Sequence, residues 1–130
     1  MKITSILFDA GNSLLRLVYE GPFSLPEAQM QFIDTLDAAV KHRARKILVD
    51  GRAVTGEPLL IQRFLYSEFA ADAVGTVCER GLTSPPQFAY VLLEPVLDPG
   101  RFGQIVALNR GMNLQVFDNL PDAEQWLDMA

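Results

Sequence analysis

Three apolar runs, ILVD at 47–50, FAYVLLE at 88–94 and LQVFD at 114–118, are set apart by segments that repeat their apolar residues at three- and four-residue spacing. A run that is apolar throughout suits a strand covered on both faces, as in the interior of a parallel sheet. The spacers carry helix boundaries. Ser24 followed by Glu27 has the form of a capping box with Pro26 in the first turn, and Ala28, Phe32, Ile33, Leu36, Ala39 and Val40 then line one face. A long helix is expected from about Glu57 to Arg80, stopped by Gly81, with TSPP at 83–86 as a loop. A short helix, RFGQIVALNR, follows Asp98-Pro99 and closes at Gly111. The last, LPDAEQWLDM, is capped by Asn119 and turns Leu120, Ala123, Trp126 and Leu127 inward.

The first twenty residues differ. KITSILFD at 2–9 and SLLRLVYE at 13–20 nearly alternate, placing Ile3, Ser5 and Leu7 on one side of the first and Leu15, Leu17 and Tyr19 on one side of the second. AGN at 10–12 supplies a short turn, so the pair reads as an antiparallel hairpin. The expected order is ββαβαβαβα. Such alternation implies a single α/β domain over residues 1–130, with a five-stranded, mostly parallel sheet, one antiparallel hairpin strand and four flanking helices.

A chain of 130 residues suits one domain, and its 49% hydrophobic and 21% charged residues are those of a folded core. The net charge of −5 repels phosphodiester backbones, so nucleic acid is not an expected partner. KHRARK at 41–46 is the one basic cluster, and it falls at a helix C-terminus, where cations complement the dipole. Cys78 is the only cysteine and reads as a small buried hydrophobe in the long helix, near Val74 and Val77. One cysteine and one histidine offer no zinc-ligand spacing, and no metal or cofactor is expected. The N-terminal apolar run, broken by Asp9, is too short for a secretory segment, and no apolar run is long enough to span a bilayer. The expected location is the cytoplasm.

A hairpin followed by strict alternation, with a strand ending in Asp50 before a long helix, resembles the STAS superfamily of anti-sigma-factor-antagonist-like domains. Phe102-Gly103, Asn109-Arg110-Gly111, Val116-Phe117, Ala123 and Trp126-Leu127 are similar to its SpoIIAA-like bacterial branch. Each of these also has a structural reading: Gly111 stops a helix, Phe117 is strand core, and Trp126 and Leu127 anchor the last helix. The resemblance implies the fold, and it focuses on one loop. In anti-sigma-factor antagonists that loop carries Asp-Ser-Ser-Gly, with a serine that is phosphorylated. Here it reads Arg52-Ala53-Val54-Thr55-Gly56-Glu57, and Thr55 is the only hydroxyl available as a phosphorylation switch. The simpler reading makes Thr55 the helix N-cap and Gly51 and Gly56 the residues that let the chain turn out of the sheet. Neither a GxxxxGK[ST] nor a GxGxxG phosphate loop is present.

The long helix is apolar on more than one side. Ile61, Phe64 and Leu65 share a side with Glu57, Glu68, Asp72 and Glu79, while Leu59, Leu60 and Phe69 lie elsewhere. A helix of this kind is either buried all round or presents apolar surface to something. Three readings compete for segment 59–69. A homodimer interface needs only one self-complementary patch, built from Leu60, Ile61, Phe64 and Leu65. A groove for an apolar small molecule or lipid would use Tyr66 and Tyr90 as polar handles. The third has the helix tucked under the loops TSPP and EPVLDP.

Catalysis needs a nucleophile with a base, a paired acid and base, or a metal. His42 sits at a helix C-terminus in a basic stretch, where a solvated or capping role suffices. Asp9 and Asp50 fall at expected strand ends, and Asp50, Arg52 and Glu94 could meet on one rim as a ligand site. The bland alternative is a set of solvated loop charges with Arg52 pairing Glu94. The expectation is a non-catalytic binding or regulatory module acting through protein contacts of loop 50–57 and the following helix. The alternative is an apolar small-molecule or lipid-binding domain using the same helix.

Overall fold

The computed structural model describes residues 1–128. Its elements run β1 (Lys2–Asp9), β2 (Leu14–Pro22), α1 (Leu25–His42), β3 (Lys46–Thr55), α2 (Leu60–Val74), β4 (Gln87–Val91), α3 (Phe102–Asn109), β5 (Leu114–Phe117) and α4 (Leu120–Trp126). This is the order read from the sequence. The strands lie side by side in chain order in one five-stranded sheet, β1 antiparallel to β2 and the other neighbours parallel. Each parallel strand adds on the same side of the one before, so right-handed crossovers carry α1, α2 and α3 across the same face. α4 follows the last strand and folds onto the other.

That three-to-one split explains the apolar strands. Leu15, Leu17, Ile47, Val49 and Phe88 point to Phe32 and Leu36 of α1, Ala70 and Val74 of α2 and Ala107 of α3. The alternate residues Leu14, Leu48, Ala89 and Val91 meet Ala123 of α4 and Leu127 just beyond it. Strands covered on both faces have no polar side to show.

The hairpin corrects one expectation. Its register shifts between Ile3 and Ser5, after which Ile6 faces Leu17, Leu7 faces Arg16 and Phe8 faces Leu15. The bulge exchanges the faces, so Ile3 and Phe8 pack on the core while Leu7, expected beside Ile3, is exposed. Phe8 also stacks on His42, their rings 4.7 Å apart, which gives the lone histidine a packing role at the end of α1.

Several boundaries also move: β4 ends at Val91, three residues short of the expected Glu94. β3 does not stop at Asp50, because its second half continues parallel pairing with Glu20–Pro22 of β2 through to Thr55. α2 begins three residues later than expected and ends at Val74. Beyond Gly75 the backbone tightens into successive N–H bonds three residues back, from Thr76 to Ala73, Val77 to Val74 and Glu79 to Thr76. Gly81 closes these turns at φ +110° rather than the helix itself. Cys78 lies in the turns and is exposed, contrary to its expected burial, while its neighbour Val77 is fully buried. Ser24 makes no side-chain cap, and Glu27 instead takes the N-terminal ammonium at 3.0 Å. Asn119 does cap α4, accepting from the Asp122 N–H at 2.9 Å. That helix ends at Trp126, short of its expected span, with Leu127 and Asp128 in a turn where Asp128 takes φ +56°, and only Met129 of that span lies outside the described residues.

Candidate functional site

The path from β3 into α2 sets up the candidate site. Gly51 sits inside β3, where a Cβ would come 2.6 Å from Leu92 Cδ2 and 3.3 Å from the Val91 carbonyl oxygen. Its role is close approach of β3 to the segment after β4, not a turn. The turn comes at Gly56, whose φ is +100°, and the helix opens with Leu59 at its N-cap. Gln62 Oε1 reaches back to accept the Leu59 N–H at 2.9 Å.

Thr55 therefore lies four residues before the N-cap, as the last residue of β3. It is exposed, and its carbonyl accepts the Phe23 N–H at 2.8 Å. The expected N-cap role is corrected, since parallel pairing with Pro22 holds Thr55 in the strand.

α2 has two working faces. Outward, Leu59, Leu60, Ile61 and Leu65 are 64%, 62%, 57% and 39% exposed. Phe64, expected among them, is half-buried. The Arg110 guanidinium lies 5.3 Å above its ring and pairs with Glu68 at 2.9 Å. α3 packs against α2 where Gly103 meets Ser67, and it adds exposed Ile105 and Leu108.

Inward, α2 roofs a cavity of about 130 Å³ against the sheet and α3. Tyr19, Val49, Val54, Tyr90, Leu114 and Val116 form much of its apolar wall. The Tyr66 and Tyr90 hydroxyls meet in its lining at 2.6 Å. Tyr19 is tied elsewhere: Thr35 donates to the Gln31 carbonyl at 2.8 Å, leaving its oxygen to accept the Tyr19 hydroxyl. Burial pushes the pKa of all three phenols up, so they stay neutral at any physiological pH. Arg63, Asp98 and Arg101 bring charged side chains to the lining, beside the polar Ser67 and Gln104. Arg63 donates to the carbonyls of Val96 (2.6 Å) and Pro95 (2.8 Å), and Arg101 to that of Val116. Asp98 accepts the N–H groups of Gly100 (3.2 Å) and Phe102 (2.8 Å).

The expected ligand set of Asp50, Arg52, Tyr66 and Tyr90 is thus divided by the sheet. Tyr66 and Tyr90 belong to the cavity. Strand alternation turns Asp50 and Arg52 to the α4 face, where Arg52 borders a shallow depression with Leu120 and Glu124. Arg52 grips Asp50 with two bonds of 2.9 Å, not Glu94, which stands exposed. That guanidinium holds the Asp50 carboxyl below its ordinary range. Asp9 lies at the opposite end of the sheet, because β1 runs antiparallel, and its oxygens accept from Gly11 and Asn12. These carboxylates do not converge.

Sequence reasoning found the tyrosines and missed Arg63, Asp98 and Arg101. The available signal was Arg63 itself, a cation set in the apolar stretch LLIQRFLY.

Neither a family model nor a curated protein matches the sequence. Among solved structures, the fold is similar to that of an anti-sigma factor antagonist from Mycobacterium paratuberculosis. The two are 16% identical, the match covers 98% of this chain and 95% of that one, and the TM-score is 0.55. At that identity the likeness speaks for the fold alone, and with the hairpin-led parallel sheet described above it gives this chain the STAS-like α/β fold.

Proposed function

We propose that this protein is a non-catalytic regulatory binding module of the cytoplasm that acts through protein contacts made by the N-terminal half of α2, with a second copy of the chain as the occupant of that surface. The observation that carries the reading is the run of exposed Leu59, Leu60, Ile61 and Leu65 at the start of one helix. Scattered apolar residues on a surface need no explanation, but clustered aliphatic side chains mark contact sites. An isologous dimer asks for one patch only. The solved neighbour is an anti-sigma factor antagonist, whose name describes a regulator of other proteins, in keeping with a module that works by contact. Loop 50–57 contributes less than its sequence implies, since most of it is strand.

The test is sedimentation velocity on the wild-type chain and on Ile61→Glu, a change at an exposed position that leaves folding stability within about 0.5 kcal/mol. The expected result is a wild-type dimer and a folded, monomeric variant. A wild type that stays monomeric at every concentration, or a variant that dimerises equally well, contradicts the self-association reading.

A second reading is favoured by a specific observation. A cavity with an almost wholly apolar wall lies directly beneath the same helix and reaches Tyr66 and Tyr90. A concave apolar site with a few convergent polar groups suits a small molecule. On this reading α2 reports an internal ligand rather than only presenting a surface.

A further inference from the structure

The polar groups around the cavity beneath α2 are strongly biased in kind. Arg63 and Arg101 are both half-buried at its lining, and neither forms an ion pair among the described residues. Arg16, Arg52, Arg80 and Arg110 each have a carboxylate partner, and the two other unpaired arginines, Arg43 and Arg45, stand exposed. A guanidinium carries five donors and no acceptor, so the backbone carbonyls that Arg63 and Arg101 touch leave donors unused on both. Asp98, the one carboxylate in the lining, already takes two backbone N–H groups at the start of α3. The paired Tyr66 and Tyr90 hydroxyls hold two protons and use one between them, which leaves a further donor. Asp98, Gln104 and Ser67 keep acceptor sites as well, so the bias lies in charge, with two guanidinium groups against one carboxylate in the lining. A half-buried cation without an ion-pair partner bears a desolvation cost that a bound anion relieves.

Size narrows the ligand further. About 130 Å³ of interior space compares with the roughly 150 Å³ of an engineered apolar cavity that takes benzene. That space fits a ring or a short branched chain.

We infer that the cavity binds a compact apolar carboxylic acid, of the arylacetic or short branched-chain kind, with its ring or chain against Val49, Tyr90 and Val116 and its carboxylate at Arg63 and Arg101. This rests on the second reading above, that the cavity holds a small apolar molecule. Arginine suits the head group because its planar fork matches a carboxylate with two parallel bonds.

The experiment titrates the full chain with phenylacetate and with 2-phenylethanol, a neutral molecule of the same ring and chain length, by calorimetry. Methyl NMR of Val49 and Val116 locates the binding. The expected result is binding of both at those methyls, with phenylacetate at least about 10-fold tighter, as one charge-assisted contact supplies. The preference should shrink at high salt, and Arg101→Gln and Arg63→Gln should each reduce it while leaving 2-phenylethanol affinity in place. The salt series needs no variant, so it stands if either substitution impairs folding. Equal affinity for the two molecules overturns the assignment of a carboxylate and leaves the apolar-cavity reading standing. Neither molecule shifting the Val49 and Val116 methyls overturns both.

Discussion

All three tyrosines of the chain take part in the core on the α1–α3 face, two of them bonded to each other. Their neutral forms are favoured by burial, so each folded pKa lies above the ordinary value of about 10. For such acids the stabilisation is fully present below the unfolded pKa and is lost as pH rises from there toward the folded value, because the unfolded chain releases protons first. In an ultraviolet titration, tyrosinate absorbance should stay absent just above pH 10 while circular dichroism remains native, then appear together with unfolding. A tyrosine ionising near pH 10 with the fold intact would show that its hydroxyl is in water. Gly51 makes a separate prediction. Gly51→Ala should destabilise the protein by about 1 kcal/mol in chemical denaturation, since its Cβ meets both Leu92 and the Val91 carbonyl oxygen. An unchanged midpoint would mean that β3 and the Val91–Leu92 segment are less closely apposed.

At the scale of elements, the two edges of the sheet are treated differently. On β5, Val116 has its N–H taken by Gln104 Oε1 at 2.7 Å and its carbonyl taken by Arg101, so one side chain of α3 and one from its N-cap occupy the positions a further strand would use. On the other edge, β1 is irregular in register and carries Lys2. Gln104→Ala leaves the Val116 N–H without its partner and should cost about 1 kcal/mol, with faster amide exchange at Val116 as the local readout. Exchange there that matches the wild type would mean the edge is protected by something else. The sequence was legible at this scale wherever a periodic pattern ran uninterrupted, as in ILVD, FAYV and the apolar face of α1. It misled where a local signal met a tertiary one. Asp50 looks like a strand end, yet pairing with Glu20–Pro22 carries β3 onward to Thr55. Arg80-Gly81 looks like a helix end, yet the helix has already tightened into turns after Gly75.

At the scale of the molecule, sequential strand order is the feature from which the rest follows. It sends three crossover helices to one face, leaves α4 alone on the other, and makes α2 both the roof of an interior cavity and the bearer of exposed aliphatic residues. The apolar character of segment 59–69 was readable from the chain, but its division into an outer face and an inner face was not. That division depends on where β4, α3 and the loop at residues 93–101 converge, and no spacing within α2 encodes it. Arg110 covering Phe64 is a product of the same convergence. The most direct measurement is a two-dimensional amide NMR series on uniformly labelled protein across rising concentration. The account predicts shifts or broadening concentrated at Leu59–Leu65, extending to Ile105–Leu108 on α3, with β1 unchanged. Changes concentrated along Lys2–Asp9, or no change at any concentration, would contradict the assignment of α2 as the contact surface.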